Sequence, residues 1–315
     1  MTELDLARHN HLIDPHLAVW GWEIAVYLFL GGLAAGIMIM AVTLDRTPAA
    51  ERSRWGRLLI FAAPVALSFG MLALLLDLHF KLHVFRFYTA LRVTSPMSWG
   101  AWILIAIYPA TLLYGLGSLT AAEQSRLAAW RPLRALRLGG LVTWGAGFAG
   151  RHAGVVRATN LILGVALGVY TGILLSNLGA RAAWSSALLG PLFLASGVSA
   201  GAALMMLAPL GHAEHAALRR WDLVAIGLEV ALLLLYLLAL VSGADRAGQG
   251  AAALFLGGRF TAPFWALVVV AGLAVPFALE IAEGRHDRRQ TIWAPALVLM
   301  GGLSLRWILV LAGQA

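Results

Sequence analysis

Five ionisable side chains stand within or at the ends of long apolar runs: Glu23, Asp77, Glu229, Glu280 and Arg306. A charge at the centre of a membrane helix costs about 2.5–3.5 kcal/mol on insertion scales, so each needs a reason to be there. Tyr27 follows Glu23 by one helical turn, on the same face. Tyr170 sits in an apolar run of its own, and Thr94-Ser95-Pro96-Met97-Ser98-Trp99 opens another. A carboxyl group takes up and releases protons, a phenol donates to a carbonyl, and a tryptophan offers a flat apolar wall. Together these types suit proton-coupled chemistry on a mostly apolar ligand.

Each type also has a plainer use. Glu23 or Asp77 can pair with Arg306 and hold two helices together. Ser95 and Pro96 fit the N-cap and first position of a helix. Trp99 and Trp102 fit the aromatic belt at a membrane surface. His79 and His83 have i,i+4 spacing, but they lie at a run's end among basic residues, and no metal or haem is expected there.

The elements that must position these groups are membrane helices. The chain has 315 residues, 61% hydrophobic and 12% charged. About a quarter charged is usual for a soluble domain. The apolar residues come in unbroken blocks of roughly 20, the length of a helix that crosses a bilayer. A membrane barrel would need alternation instead. The expected fold is all-α and polytopic: one integral membrane domain, 1–315, arranged as two four-helix bundles. Its eight transmembrane helices are expected near 20–44, 58–80, 97–119, 159–178, 186–210, 223–242, 260–282 and 292–312. Gly139–Gly150 is apolar but too short to span. No cleavable signal peptide is expected, because the first apolar block is a full span.

The runs also fix a topology. Of 23 Lys and Arg, fifteen lie in the connections after spans one, three, five and seven. Seven lie before span one or after spans two, four and six, and Arg306 is inside the last span. The positive-inside rule puts the rich side in the cytoplasm and both termini in the periplasm of a bacterial inner membrane. The net charge of +8 is thus a topology signal and not a nucleic-acid patch. The chain has no cysteine, so an iron–sulfur cluster held by thiolates must belong to another subunit.

That topology brings Glu23, Asp77, Arg306 and Ser95–Trp99 to the outer side. Tyr170 lies about two turns below the outer end of its run. A pocket at this depth would give a quinone hydrogen-bond partners, a proton carrier and an aromatic wall. Glu229 lies about two turns from the inner face and could belong to a proton path. Spans one and five share an echo, Leu-Phe-Leu followed by Gly32-x-x-x-Gly36 and Gly197-x-x-x-Gly201. It fits either a duplicated chain or two ordinary packing faces. His212, Glu214 and His215 read as a solvated turn.

Four stretches carry a resemblance over essentially the whole chain: "HLAVWGWEIAVYLFLGGLAAG" (His16–Gly36), "LLLDLHFKLHVFRFYTALRVTSPMSWGAWIL" (Leu74–Leu104), "VYTGILLSN" (Val169–Asn177) and "LRWILVLAGQ" (Leu305–Gln314). Together they resemble the polysulfide reductase membrane subunit family, NrfD/PsrC, with "TSPMSWGAW" the most specific string. The resemblance implies an eight-helix subunit that reacts with menaquinone or ubiquinone near the outer surface. It implies a ferredoxin-like iron–sulfur partner on that face and a catalytic molybdopterin or multihaem cytochrome subunit beyond it, with lipid around the spans. The family's pocket tyrosine falls on Tyr170, its first-helix polar positions on or beside Glu23 and Tyr27, its second-helix aspartate on Asp77 and its last-helix arginine on Arg306. The first helix departs from the family's asparagine and histidine, carrying Glu23, Ile24 and Tyr27. Asp77 or Glu23 would relay protons; Tyr170, Tyr27, Ser95, Trp99 and Arg306 would contact the ligand. A proton- or ion-coupled transporter, suggested by the glycine echo and Glu229, and an anchor without a quinone site are the other readings.

Overall fold

A computed structural model describes residues 20–48, 51–78, 81, 85–89, 92, 95–177, 181–242, 246–286 and 291–314. Among them, eight helices are long and apolar enough to cross a membrane. They are α1 (Trp22–Leu44), α2 (Arg54–Asp77), α3 (Pro96–Ser118), α4 (Ala153–Ser176), α5 (Leu189–Met206), α6 (His212–Ser242), α7 (Thr261–Gly284) and α8 (Trp293–Ala312). No strand occurs among the described residues. Lipid imposes this class, because a helix satisfies its own backbone polar groups.

The centre is the pair α1 and α5, the two most buried spans. Their glycines meet. A Cβ on Gly36 would overlap the carbonyl of Gly197, and one on Gly201 would overlap the backbone of Gly36. Apolar lipid gives no hydrophobic drive for helices to associate, so close backbone contact over small residues has to hold this pair. The neighbours then repeat. Helices α2 and α4 pack on α1 as α6 and α8 pack on α5, while α3 packs on α4 as α7 packs on α8. The pairs α4–α5 and α1–α8 close the set.

Two prolines change the pitch of their helices. A 3₁₀ turn, Leu59–Phe61, precedes Pro64 in α2, and a π-helical run, Phe264–Ala274, leads to Pro276 in α7. Proline lacks the N–H that the carbonyl four residues earlier would accept, so the backbone rearranges locally to find other partners. The short apolar segment forms a 13-residue helix, Gly139–Arg151, packed on α3 and on the surface helix Ala121–Ala128. At 1.5 Å per residue it reaches about 20 Å, short of a bilayer.

The segment His212–His215 corrects the expectation of a solvated turn. It is the first turn of α6, which is 31 residues long. Glu214 is fully buried: its Oε2 accepts from the Gly211 N–H at 3.0 Å, and its carboxyl group packs where a side chain on Gly56 would stand. His215 is buried as well. Hydropathy ends the span near residue 223 because the extension is polar, but tertiary packing covers it. On the opposite side, Trp20 N–H donates to Gln314 Oε1 and Gln314 Nε2 donates to the Trp20 carbonyl, both at 2.9 Å. The Trp184 ring stacks on Trp20 at 5.1 Å, and its Nε1 donates to the Leu309 carbonyl at 2.8 Å. These contacts join the starts of α1 and α5 to the end of α8.

Candidate functional site

The cavity of interest lies where the starts of α1 and α3 and the ends of α2 and α4 converge. It encloses about 330 Å³, within the roughly 300–1,000 Å³ of small-molecule sites. Its wall is mostly aliphatic, from residues such as Leu28, Met71 and Leu104. Its polar groups are few: the phenols of Tyr27, Tyr88 and Tyr170 and the carboxyl group of Asp77.

Each polar group is fixed by its helix. Tyr27 and Ile24 are one turn apart on α1 and turn the same face inward. Tyr170 comes from α4, and its phenol meets that of Tyr27, with Tyr88 nearby. The Tyr170 ring needs room on α3, which Gly100 supplies: a Cβ there would overlap the phenol oxygen. Asp77 is the last residue of its helix, and Leu78 after it is extended, so the carboxyl group stands at the rim. The site can hold a small, flat, largely apolar molecule and offer it hydroxyl hydrogen bonds with a carboxyl group beside them.

Of the expected site residues, Tyr27, Tyr170 and Asp77 line this cavity. Glu23 does not; it is half-buried on the turn above Tyr27, with its carboxyl group folded over Gly21. Ser95 stands at the N-cap of α3, but its hydroxyl makes no cap bond. Ser98 instead accepts from the Arg92 N–H at 3.0 Å, tying the incoming chain to the helix. Trp99 is 42% exposed and does not line the cavity. His79, His83 and Thr94 lie outside the described residues.

Arg306 is in a different place. It is fully buried between α8, α5 and α1. Its Nη1 donates to Ser196 Oγ at 2.6 Å and to the Gly302 carbonyl at 2.9 Å, and Nη2 donates to the Phe193 carbonyl at 3.2 Å. The guanidinium also lies over the Phe193 ring at 5.0 Å. Its charged neighbour is Glu229, which is buried and meets Ser196 as well. Neither Arg306 nor Glu229 lines the cavity.

Sequence reasoning missed Tyr88 and Gly100. Tyr88 belongs to a four-residue helix, Arg86–Thr89, in a connection where hydropathy has no signal. Gly100 sits in the "MSWGAW" string, where a single glycine between tryptophans marks a close approach.

The arginine-rich end is stitched by ion pairs. Asp45 meets Arg52 at 2.7 Å and Arg157 at 3.2 Å, and it accepts from the Tyr114 hydroxyl at 2.7 Å. Arg57 forks onto Glu123 at 2.9 and 3.0 Å. Glu123 also closes a capping box with Thr120. The Arg57 hydrogen bond is the main reason that the Glu123 carboxyl group is held down to about 2.

Comparison with known proteins agrees with this architecture. The family model described as "Polysulphide reductase, NrfD" matches residues 10–315. The C subunit of polysulfide reductase from Wolinella succinogenes is 31% identical, with 94% of both proteins covered. Protein NrfD of Escherichia coli K12 is 30% identical, over 94% of this chain and 95% of its own. The protein NrfD homolog of Haemophilus influenzae is 26% identical, over 95% of both.

Proposed function

Because the chain belongs to the NrfD polysulphide reductase family, we propose that it is the quinone-reactive membrane anchor of a respiratory oxidoreductase. The observation that carries this reading is the outer cavity, with its aliphatic wall, three phenols and one rim carboxyl group. The fit is chemical. A quinone is an apolar ring with two oxygens that need hydrogen-bond donors, and the cavity offers phenols and few charges.

In this reading Tyr170 and Tyr27 hold the ring oxygens. Gly100 keeps the Tyr170 phenol in place, and Asp77 carries protons between ring and rim. Glu23, one turn above Tyr27, continues that path outward. When bound, menaquinone or ubiquinone supplies an exchange of two electrons and two protons. Electrons pass to or from a ferredoxin-like iron–sulfur subunit docked on the outer face, and from there to or from a molybdopterin or multihaem subunit. Ser95, Trp99 and Arg306, expected to contact the ligand, do not line the cavity. The charge asymmetry of the connections supports an inner-membrane placement with both termini periplasmic. The repeated neighbour pattern supports two related four-helix halves within one domain.

The test uses the intact complex. Tyr170→Phe and Asp77→Asn should each lower quinol turnover about tenfold or more, the worth of one hydrogen bond or proton carrier. Full turnover in both variants, with subunits still assembled, would sink the assignment.

A further inference from the structure

The other side of the molecule holds buried ionisable groups that the cavity does not use. Asp222 on α6 is fully buried, and Glu280 on α7 is 1% exposed. Their carboxyl groups face each other within hydrogen-bonding range. The Ser199 hydroxyl on α5 donates to Asp222 Oδ1. Asp222 Oδ2 and both oxygens of Glu280 have no donor among the described residues.

Two carboxylates can only accept, so a bond between them requires a proton on one. With both ionised, two like charges would sit in contact away from water, the most costly arrangement open to them. Contact between the two is therefore favourable only with one proton between their oxygens. No third ligand-type side chain completes a metal site among the described residues.

The surroundings give the pair a direction. Toward the arginine-rich side, Arg219 lies one turn from Asp222 on α6 and within reach of Glu280. Glu283 on α7 faces Glu280 and accepts from Thr291 N–H at 3.0 Å and Thr291 Oγ1 at 2.7 Å. His215 lies beside Arg219 and Glu283. Away from that side, Ser199 and Ser196 are one turn apart on α5. Ser196 meets both Glu229 of α6 and Arg306 of α8.

We infer that Asp222 and Glu280 form a proton-exchange site that opens toward the arginine-rich side past Arg219 and Glu283. One proton enters from water onto Glu280 and is shared with Asp222, and it leaves by the reverse step. No electron moves. Ser199, Ser196, Glu229 and Arg306 continue the polar row to mid-depth, where Arg306 lies against Gly32 of α1. This inference does not depend on the quinone reading.

The test is infrared spectroscopy on the full chain in lipid nanodiscs, without quinone, in H₂O and in D₂O. At neutral pH the wild type should show a protonated-carboxyl C=O band that shifts in D₂O. Glu280→Gln should remove it, because the amide supplies the missing donor and Asp222 no longer needs the proton. Asp222→Asn should displace or remove it. Glu229→Gln, Tyr170→Phe and Asp77→Asn should leave it in place, which separates this result from the fate of the quinone site. Absence of the band in the wild type would overturn the inference. So would a band that survives both Glu280→Gln and Asp222→Asn, or one that does not respond to D₂O. If Glu280→Gln fails to fold, the wild-type isotope shift and Asp222→Asn still decide.

Discussion

The space among α1 to α4 and the space between α5, α6 and α7 solve opposite problems with the same kind of helix. The first leaves a hole and lines it with three phenols and one carboxyl group at the rim. The second fills its centre with carboxyl groups, and a guanidinium lies beside it between α8, α5 and α1. A cavity can tolerate phenols because a ligand or water completes their bonds. A filled core cannot leave charge unmatched, so Arg306 is wrapped by Ser196, Gly302 and Phe193. The Asp222–Glu280 pair, inferred to share one proton, keeps a single negative charge, with Arg219 within reach of it. Unpartnered polarity in a membrane thus points to one of two missing things: a molecule where there is room, a proton where there is not.

Variants can break this contrast in order of expected effect. The largest should come from the shared centre. Gly36→Leu puts a side chain where Gly197 and Gly201 already touch the backbone, so both regions should be lost together. No monodisperse chain should be recovered by size-exclusion chromatography; a well-behaved protein would show that α1 and α5 can separate.

Next comes Arg306→Met, which keeps much of the volume but strands Glu229. Glu229 lies beside Arg306 without a direct ion pair among the described residues, so leaving it uncompensated costs about 1–3 kcal/mol. Thermal unfolding should fall by a comparable amount, and adding Glu229→Gln should restore part of it. A second substitution that restores nothing would deny the coupling.

Gly100→Ala should act on the cavity alone. The added methyl displaces the Tyr170 phenol, and adjustments of this size cost about 1–3 kcal/mol. Quinol turnover should drop while the carboxyl infrared band stays. Loss of both would mean that the two regions are not independent.

The smallest effect lies outside both. Glu123 has its carboxyl group held below the ordinary value, first by the Arg57 hydrogen bond. A lowered folded-state value means stability that is present above about 4.5 and lost as the pH falls toward about 2. Glu123→Gln should flatten that part of the acid unfolding curve by about 1 kcal/mol or less, since the pair lies at the solvent-facing end. The infrared band and quinol turnover should not change.

Sequence reads depth well and rotation badly. The depths of Tyr27, Tyr170 and Asp77 follow from their distance to the ends of apolar runs, and these three do meet. Arg306 is expected at a similar depth, yet its face of α8 turns to α5 and it does not line the cavity. Rotation about a helix axis is set by which small residues touch, and an all-round apolar span carries little periodic signal of that. The glycine echo of spans one and five is the exception, because its spacing names a face. Glu280 and Asp222 illustrate the same limit. Glu280 reads as a lone acid at the end of an apolar run, Asp222 falls just before the span expected at 223–242, and only packing brings them together. Tyr88 and the first turn of α6 are hidden for another reason: they lie where polarity masks structure that tertiary contacts make.

The clasp between Trp20 and Gln314 makes the first and last spans one mechanical body. Residues 294 apart in the chain share two reciprocal bonds, with Trp184, in the connection before α5, closing the seam. The helices therefore stand as a hooped barrel of staves and not as a fence with two free posts. A push on the C-terminal end of α8 is felt at Trp20, which itself lines the cavity. A load settling anywhere on that rim would tilt the hoop as a whole.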